Sequence, residues 1–88
     1  MKFFGRMMKE RFVILETVVE DLEKQKPLVD RLEHCLRAVC KEFDISVPIW
    51  LDRNTSEFAC FRRTTFTPEQ FIDQVKFDKL QIEVVLDK

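Results

Sequence analysis

The sequence predicts a single α+β domain in which a small antiparallel sheet packs against one main amphipathic helix. Three patterns support this fold class: alternating apolar residues within residues 2–20, a helical apolar stripe from Pro27 to Phe43, and a second alternating run from Leu80 to Leu86. With 88 residues, the chain is long enough for one hydrophobic core and too short for two. We therefore treat residues 1–88 as one domain and take its nine phenylalanines as the first core candidates.

Residues 2–20 fit two templates, and periodicity alone does not separate them. A helix would leave much apolar surface outside its stripe, including Phe3 and Ile14. Two strands suit the β-branched residues of the segment and their alternation between two faces. We favour the second template, which predicts a hairpin with strands at residues 2–9 and 12–20. One face of the second strand then carries Val13, Leu15, Thr17 and Val19.

The segment that starts at Pro27 is the clearest helix. Its apolar residues recur at spacings of three and four, whereas charged residues occupy the opposite face. Pro27 follows a polar connector and has the fixed φ suited to a first helical position. Glu33 and Arg37 lie four residues apart, so an ion pair is expected on the exposed face. The apolar stripe consists of Val29, Leu32, Leu36, Val39 and Phe43.

An extended segment and one or two short helices are predicted between this helix and the last strand. A proline interrupts the apolar stretch of residues 45–51, which favours an extended crossing segment over a central strand. A short helix near residues 55–62 would place Phe58 and Phe61 on one side. The run Thr67-Pro68-Glu69-Gln70 has the pattern of a capping box, so a second short helix is expected to start there.

The charge balance argues against partners that are recognised by a global field. The chain has 15 basic and 16 acidic residues and a net charge of -1, which favours neither nucleic acid nor an anionic membrane. No apolar run approaches the roughly 18 residues that cross a bilayer, and the start of the chain lacks the apolar region and cleavage site of a signal peptide. We therefore expect a cytoplasmic protein without a membrane segment.

The cysteines and the single histidine do not form a reactive constellation. Cys35, Cys40 and Cys60 are odd in number and lack C-x-x-C spacing, so all three are expected to be reduced and buried. Cys35 and Cys40 lie about 140° apart around a helix and cannot share a metal. Two arginines beside Cys60 would favour its thiolate, but His34 lies on the polar helix face and supplies no positioned base. We expect no catalytic site, metal or cofactor.

An anion site is the sharpest local signal in the chain. Two arginines followed by two threonines offer guanidinium and hydroxyl donors to phosphate, and a helix that starts near Thr67 would add its dipole. In the alternative interpretation, the arginines pair with acids such as Glu57 or Glu69, and the threonines border a turn. The candidate anion-binding residues are Arg62, Arg63, Thr64 and Thr65.

Trp50 and Val85 are the candidate interface residues. Aromatic residues are enriched at interface hot spots, although core burial is the alternative for Trp50. The last strand alternates apolar residues with Gln81, Glu83 and Asp87, and Val85 breaks this alternation. Such an amphipathic strand at a sheet edge would pair with a second copy across a two-fold axis.

Most of the chain resembles a group of short, uncharacterised bacterial proteins of about this length. The resemblance covers the Lys2-Phe3-Phe4-Gly5 start and the strand from Leu80 to Leu86, and its motifs lie in the carboxy-terminal half. That group has no assigned activity, so the resemblance implies no catalytic or binding residue. The motifs are Glu42-Phe43-Asp44, Pro48-Ile49-Trp50-Leu51, Glu57-Phe58, Phe61-Arg62-Arg63-Thr64, Phe66 and Phe71-Ile72.

These features predict a small non-enzymatic interaction module, with self-association into a homodimer or binding of a protein partner as its mode of action. The alternative function is binding of nucleic acid or another phosphate-bearing ligand. That function would use a basic patch of Arg62, Arg63, Lys76 and Lys79. A small enzyme would need a site assembled from distant acids or from Cys60.

Overall fold

The computed structural model describes residues 1–86 and confirms the predicted α+β fold with its N-terminal hairpin and C-terminal strand. Asp87, which was assigned to the polar face of that strand, lies outside the described residues. In chain order the elements are β1 (Lys2–Lys9), β2 (Phe12–Glu20), α1 (Leu28–Glu42), α2 (Asp52–Phe61), β3 (Arg63–Phe66), a 3₁₀ helix (Pro68–Gln70) and β4 (Lys79–Val85).

The four strands form one antiparallel sheet in the order β2-β1-β4-β3. β4 therefore lies between β1 and β3, and both of its backbone edges are already paired. The expectation that the last strand pairs with a second copy along its edge is wrong for this reason. β2 and β3 are the edge strands, and β2 is the longer of the two, with nine residues against four.

The hairpin has the predicted strand boundaries, with a two-residue turn at Glu10 and Arg11. Its partners run from Lys2 opposite Glu20 to Met7 opposite Leu15. The register then shifts, so that Met8 lies opposite Val13 and the residue between Val13 and Leu15 has no partner. This shift places Val13 on the face opposite Leu15, whereas the sequence predicted one shared face for them.

Helix α1 packs on the sheet through a close approach to β1. A Cβ atom at Gly5 would overlap Cγ1 of Val39, so the absence of a side chain lets the helix sit against the strand. Most of the predicted stripe is buried, but Val29 in the first turn is 72% exposed. Pro27 precedes the helix as its N-cap and is not its first helical residue. The predicted ion pair between Glu33 and Arg37 is present at 2.8 Å.

The core between the helices and the sheet is rich in aromatic and sulfur-containing side chains. Three of the nine phenylalanines are exceptions, because Phe12 on β2 and Phe61 at the end of α2 are exposed and the half-buried Phe4 lies on the sheet face away from the helices. The rings of Phe71 and Phe77 form a T-shaped pair with a centroid distance of 5.2 Å. The buried apolar residues are Met1, Phe3, Met7, Cys35, Leu36, Val39, Cys40, Phe43, Phe66, Phe71, Phe77, Leu80, Ile82 and Val84.

Helix α2 is held by a buried polar network that the sequence reading did not predict. Asn54 is fully buried, and its amide nitrogen donates to the hydroxyl of Thr64 at 2.7 Å. Its carbonyl oxygen accepts hydrogen bonds from the Leu51 backbone and from the Gln70 side chain, each at 2.9 Å. The side-chain oxygen of Gln70 also accepts a hydrogen bond from the backbone N–H of Thr67 at 3.0 Å, as the predicted capping box requires. The network therefore joins α2 to β3 and to the 3₁₀ helix.

Asp21 anchors the connector between β2 and α1. Its carboxylate accepts a 2.6 Å hydrogen bond from the Glu23 backbone and lies 3.4 Å from Nε of Arg31. The Asp21 side chain is almost fully buried and that of Arg31 largely so. The backbone hydrogen bond from Glu23 lowers the pKa of Asp21 most strongly, and the charge of Arg31 lowers it further against the effect of burial. The folded state thus favours the ionised carboxylate.

The first prediction concerns the contact between Gly5 and Val39. Gly5→Ala should destabilise the protein by about 1–3 kcal/mol, because the stiff β-branched side chain of Val39 cannot easily move away from the added methyl group. Chemical denaturation measures this change. In a double-mutant cycle, Val39→Ala should relieve part of the penalty. Additive effects of the two substitutions would contradict the steric explanation.

The second prediction concerns the pH dependence of the Asp21 contacts. Because folding lowers this pKa, the stabilisation is complete above the unfolded pKa of about 3.9 and is lost as the pH falls through the folded value. Asp21→Asn should therefore destabilise the protein at pH 7 by about 1–2 kcal/mol, with a smaller difference below pH 4. Denaturation series at both pH values test this, with Asp30→Asn on the exposed side of α1 as the control. An equal loss at both pH values would contradict it.

Candidate functional site

The four candidate anion-binding residues do not converge on one loop. Arg63, Thr64 and Thr65 belong to β3, and Arg62 caps α2 in the left-handed conformation, with a φ of 59°. The buried Thr64 hydroxyl donates to Glu57 at 2.5 Å and accepts from Asn54. Thr64 is therefore committed to the polar network, while strand alternation directs Arg63 and Thr65 to the opposite face of the sheet.

The positions of the two arginines also disagree with the alternative interpretation, in which Arg62 and Arg63 pair with Glu57 or Glu69. Neither arginine is ion-paired with either acid within residues 1–86. Arg63 instead lies opposite Glu83 in the sheet. Lys79 is the first residue of β4 and lies four residues before Glu83, which corresponds to about 13 Å along the strand. The wider basic patch proposed from the sequence is thus spread from the end of α2 along β3 and β4, with Lys76 in the loop before β4, and carries an acid beside Arg63.

Trp50 and Val85 occupy different surfaces. Trp50 is 40% exposed, yet its ring lies 6.1 Å from that of Phe58 and 5.6 Å from that of Phe66. Its indole nitrogen donates to the hydroxyl of Thr55 at 2.8 Å. Val85 lies opposite Lys2 and is exposed on the sheet face that the helices leave uncovered. These two residues therefore do not form one continuous interface.

The free edge of β2 combines unpaired backbone with exposed apolar side chains. The backbones of Met1 and Asp21 form two hydrogen bonds with each other, of 2.8 and 3.1 Å. Hydrogen-bonded and non-hydrogen-bonded residue pairs alternate along an antiparallel pair of strands, so this pair fixes which residues of β2 bond to β1. Glu16, Val18 and Glu20 consequently direct their backbone groups away from β1 and toward the free edge. Exposed apolar side chains occupy much of the strand: Phe12, Val13, Ile14, Leu15 and Val18.

On the sheet face that the helices leave uncovered, Arg6 and two acidic residues form a central ionic cluster among apolar side chains. Arg6 donates to Glu16 at 3.0 Å and to Glu83 at 3.4 Å, so it links β2, β1 and β4. Its guanidinium carbon also lies 5.5 Å from the centroid of the Phe4 ring. The charge of Glu16 is therefore compensated within the sheet, which lowers the electrostatic cost of placing another chain beside β2.

A cleft of about 550 Å³ separates α1 from α2 on the helical side of the sheet. Its floor consists of Phe3 from β1 and Ile82 from β4, both of which belong to the buried core. One wall comes from α1, the opposite wall from α2, and the end from the extended segment that contains Trp50. The wall residues are Val29, Leu32, Glu33, Leu36, Val47, Pro48, Trp50, Thr55, Phe58 and Ala59.

The thiols differ in accessibility and therefore in chemistry. Cys35 and Cys40 are buried as expected, and burial raises the pKa of each to about 11. Cys60 is exposed on α2, so the prediction of a third buried thiol is wrong. The reason is that α2 turns Asn54 and Phe58 toward the domain and leaves Cys60 on its outer side. His34 is exposed on α1, as expected from its position on the polar face.

Within residues 1–86, no three or more His, Cys, Asp or Glu side chains are grouped so that they could hold a metal ion. Neither helix in the described part of the chain combines the length and apolar character needed to cross a membrane.

The sequence matches no known family model and no curated protein, and the fold matches no solved structure. The resemblance to short bacterial proteins therefore stays a prediction.

The third prediction concerns thiol accessibility. At pH 8, 5,5′-dithiobis(2-nitrobenzoate) should react rapidly with one thiol per native chain, because only Cys60 is exposed. All three cysteines should react after denaturation, and Cys60→Ser should abolish the rapid phase. A rapid second thiol in the native protein would contradict the burial of Cys35 and Cys40.

Proposed function

We propose that this protein is a non-enzymatic interaction module that forms a homodimer by antiparallel pairing of β2 with β2 of a second copy. The observation that carries the proposal is a nine-residue edge strand with both unpaired backbone groups and exposed apolar side chains. Natural proteins usually protect long edges with Pro, Lys, strong bulges or covering segments. β2 contains neither Pro nor Lys between Phe12 and Glu20, and its one register shift, at Ile14, leaves the stretch from Leu15 to Glu20 regular.

Among the registers centred on Glu16, Thr17 and Val18, the charges on β2 favour one. A two-fold axis at Glu16 would place that residue opposite its own copy, and an axis at Val18 would place Glu16 opposite Glu20. Both arrangements oppose like charges, which destabilises a strand pair. An axis at Thr17 instead pairs Glu16 with Val18 and Leu15 with Val19, while the outward backbone groups still face one another. This register joins the two sheets into one sheet of eight strands.

Other features support an interaction role over catalysis. The exposed thiol lies on α2, whereas the only histidine lies on the exposed side of α1, across the cleft. A nucleophile activated by histidine would need these groups within hydrogen-bond reach. The alternative phosphate-binding function has weaker support, because Thr64 is committed to the buried network and the basic residues are spread along the sheet.

The fourth prediction tests the backbone edge of β2. Val18→Pro removes a backbone N–H that points away from β1, so the monomer fold should persist. The dimer dissociation constant should rise at least about tenfold. Val18→Thr keeps the N–H and the β-branched shape and is the matched control. Sedimentation equilibrium over a range of protein concentrations measures the dimer dissociation constant of each variant and of the wild type. A wild-type protein that stays monomeric at every concentration would overturn the proposal.

Disulfide trapping tests the register independently. In a Cys60→Ser background, Thr17→Cys should form a cross-linked dimer on mild oxidation, since the two copies form a close pair with Cα atoms about 4.5 Å apart. Val29→Cys in the same background controls for random collision, because Val29 is exposed and distant from β2 in sequence. Equal cross-linking of both variants would contradict pairing at Thr17. A dimer that is insensitive to Val18→Pro and does not cross-link would place the interface elsewhere.

A further inference from the structure

We propose that the cleft between α1 and α2 is a binding site for an uncharged, largely apolar small molecule. The cleft volume of about 550 Å³ lies in the range of roughly 300–1,000 Å³ that is typical of small-molecule sites. Its floor is formed by Phe3 and Ile82, which belong to the buried core, so the walls supply most of the surface that a ligand would contact. This site is independent of the proposed β2 dimer.

The walls of the cleft favour displacement of water by an apolar ligand. The cleft is large enough to hold several waters. Leu32, Leu36 and Pro48 offer those waters no side-chain hydrogen-bond partner, and the hydroxyl of Thr55 already accepts from Trp50. Waters with few polar partners are readily displaced by apolar groups, and their release favours binding. The rings of Trp50 and Phe58 provide an aromatic wall for the ligand.

The charge of the lining determines the class of ligand. Among residues 1–86, Glu33 is the only charged residue that lines the cleft, and its carboxylate already pairs with Arg37 at 2.8 Å. An anionic ligand such as a fatty acid or a phosphate ester would find no cation in this described lining to compensate its charge. A cationic ligand would have to compete with Arg37. A neutral molecule meets neither obstacle.

The size of the cleft also distinguishes a small molecule from a partner helix. A three-turn helix with side chains has a diameter of about 11 Å and a length of about 16 Å, which corresponds to roughly 1,500 Å³. The cleft holds about a third of that volume, so most of the helix would remain outside. A compact ligand can fill the cleft and contact both of its walls.

A matched pair of fluorescent probes tests the proposal. N-phenyl-1-naphthylamine is neutral, whereas 8-anilinonaphthalene-1-sulfonate has the same aromatic skeleton with an added sulfonate. Trp50 is the only tryptophan in the chain, so energy transfer from tryptophan reports binding. The neutral probe should bind saturably with one site per chain and about tenfold more tightly than the anionic probe. Glu33→Gln should reduce this difference, because it removes the negative charge from the lining.

Variants on one helix locate the bound probe. Ala59→Phe fills the cleft and should weaken binding of the neutral probe at least about tenfold. Ser56→Phe adds the same ring to an exposed position of α2 outside the cleft and should leave the affinity unchanged. If circular dichroism shows that Ala59→Phe misfolds, Val29→Asp at the cleft mouth replaces it, with the exposed Leu22→Asp as its control.

Three results would overturn the small-molecule site. The first is equal binding to wild type and Ala59→Phe, which would place the probe on another surface such as exposed β2. The second is tighter binding of the anionic probe. The third is an absence of saturable binding together with a change in self-association caused by Ala59→Phe, which would make the cleft a protein contact.

Discussion

The close contact between Gly5 and Val39 determines how the rest of the domain is arranged. It seats α1 against β1, and the helix also contacts the neighbouring strand β2. Cys35, Val39 and Cys40 are buried on this side as a result. One helix in this position cannot also cover the far side of the sheet, where β4 and β3 lie. A second element must cover that side, and the space between the two becomes the cleft.

The second element, α2, is attached by a different kind of interaction. Among its residues only Asn54 is buried, so apolar burial contributes less here than on the α1 side. Instead, the amide of Asn54 is satisfied by partners from β3, the N-terminus of α2 and Gln70. A buried amide with every partner in place requires one arrangement of its neighbours, because a lost partner would cost about 1–3 kcal/mol. The network therefore holds α2 beside β3 and keeps the cleft from closing.

The sequence predicted the elements with strong periodicity and missed those set by tertiary contacts. The hairpin boundaries and α1 followed from apolar spacing, which depends only on local geometry. β3 was missed because its four residues include Arg63 and two threonines, and the turn before it has a non-glycine residue at positive φ. The other two positive-φ residues, Glu10 and Asp44, likewise lack the glycine that normally marks such turns. The single glycine serves helix packing instead. The candidate surfaces were missed because strand order and helix separation are not local properties.

The cleft and the exposed edge have a common origin in the placement of α1. The helix covers the C-terminal part of β2, where Val19 packs against the core, but leaves Leu15 exposed on the same face. On its other side, the same helix leaves Phe3 at the bottom of the cleft. The two surfaces consequently lie on opposite sides of α1, and pairing of β2 does not obstruct the cleft mouth. A β2-paired dimer would carry two separate clefts, so ligand binding and self-association can occur together without competing for the same residues.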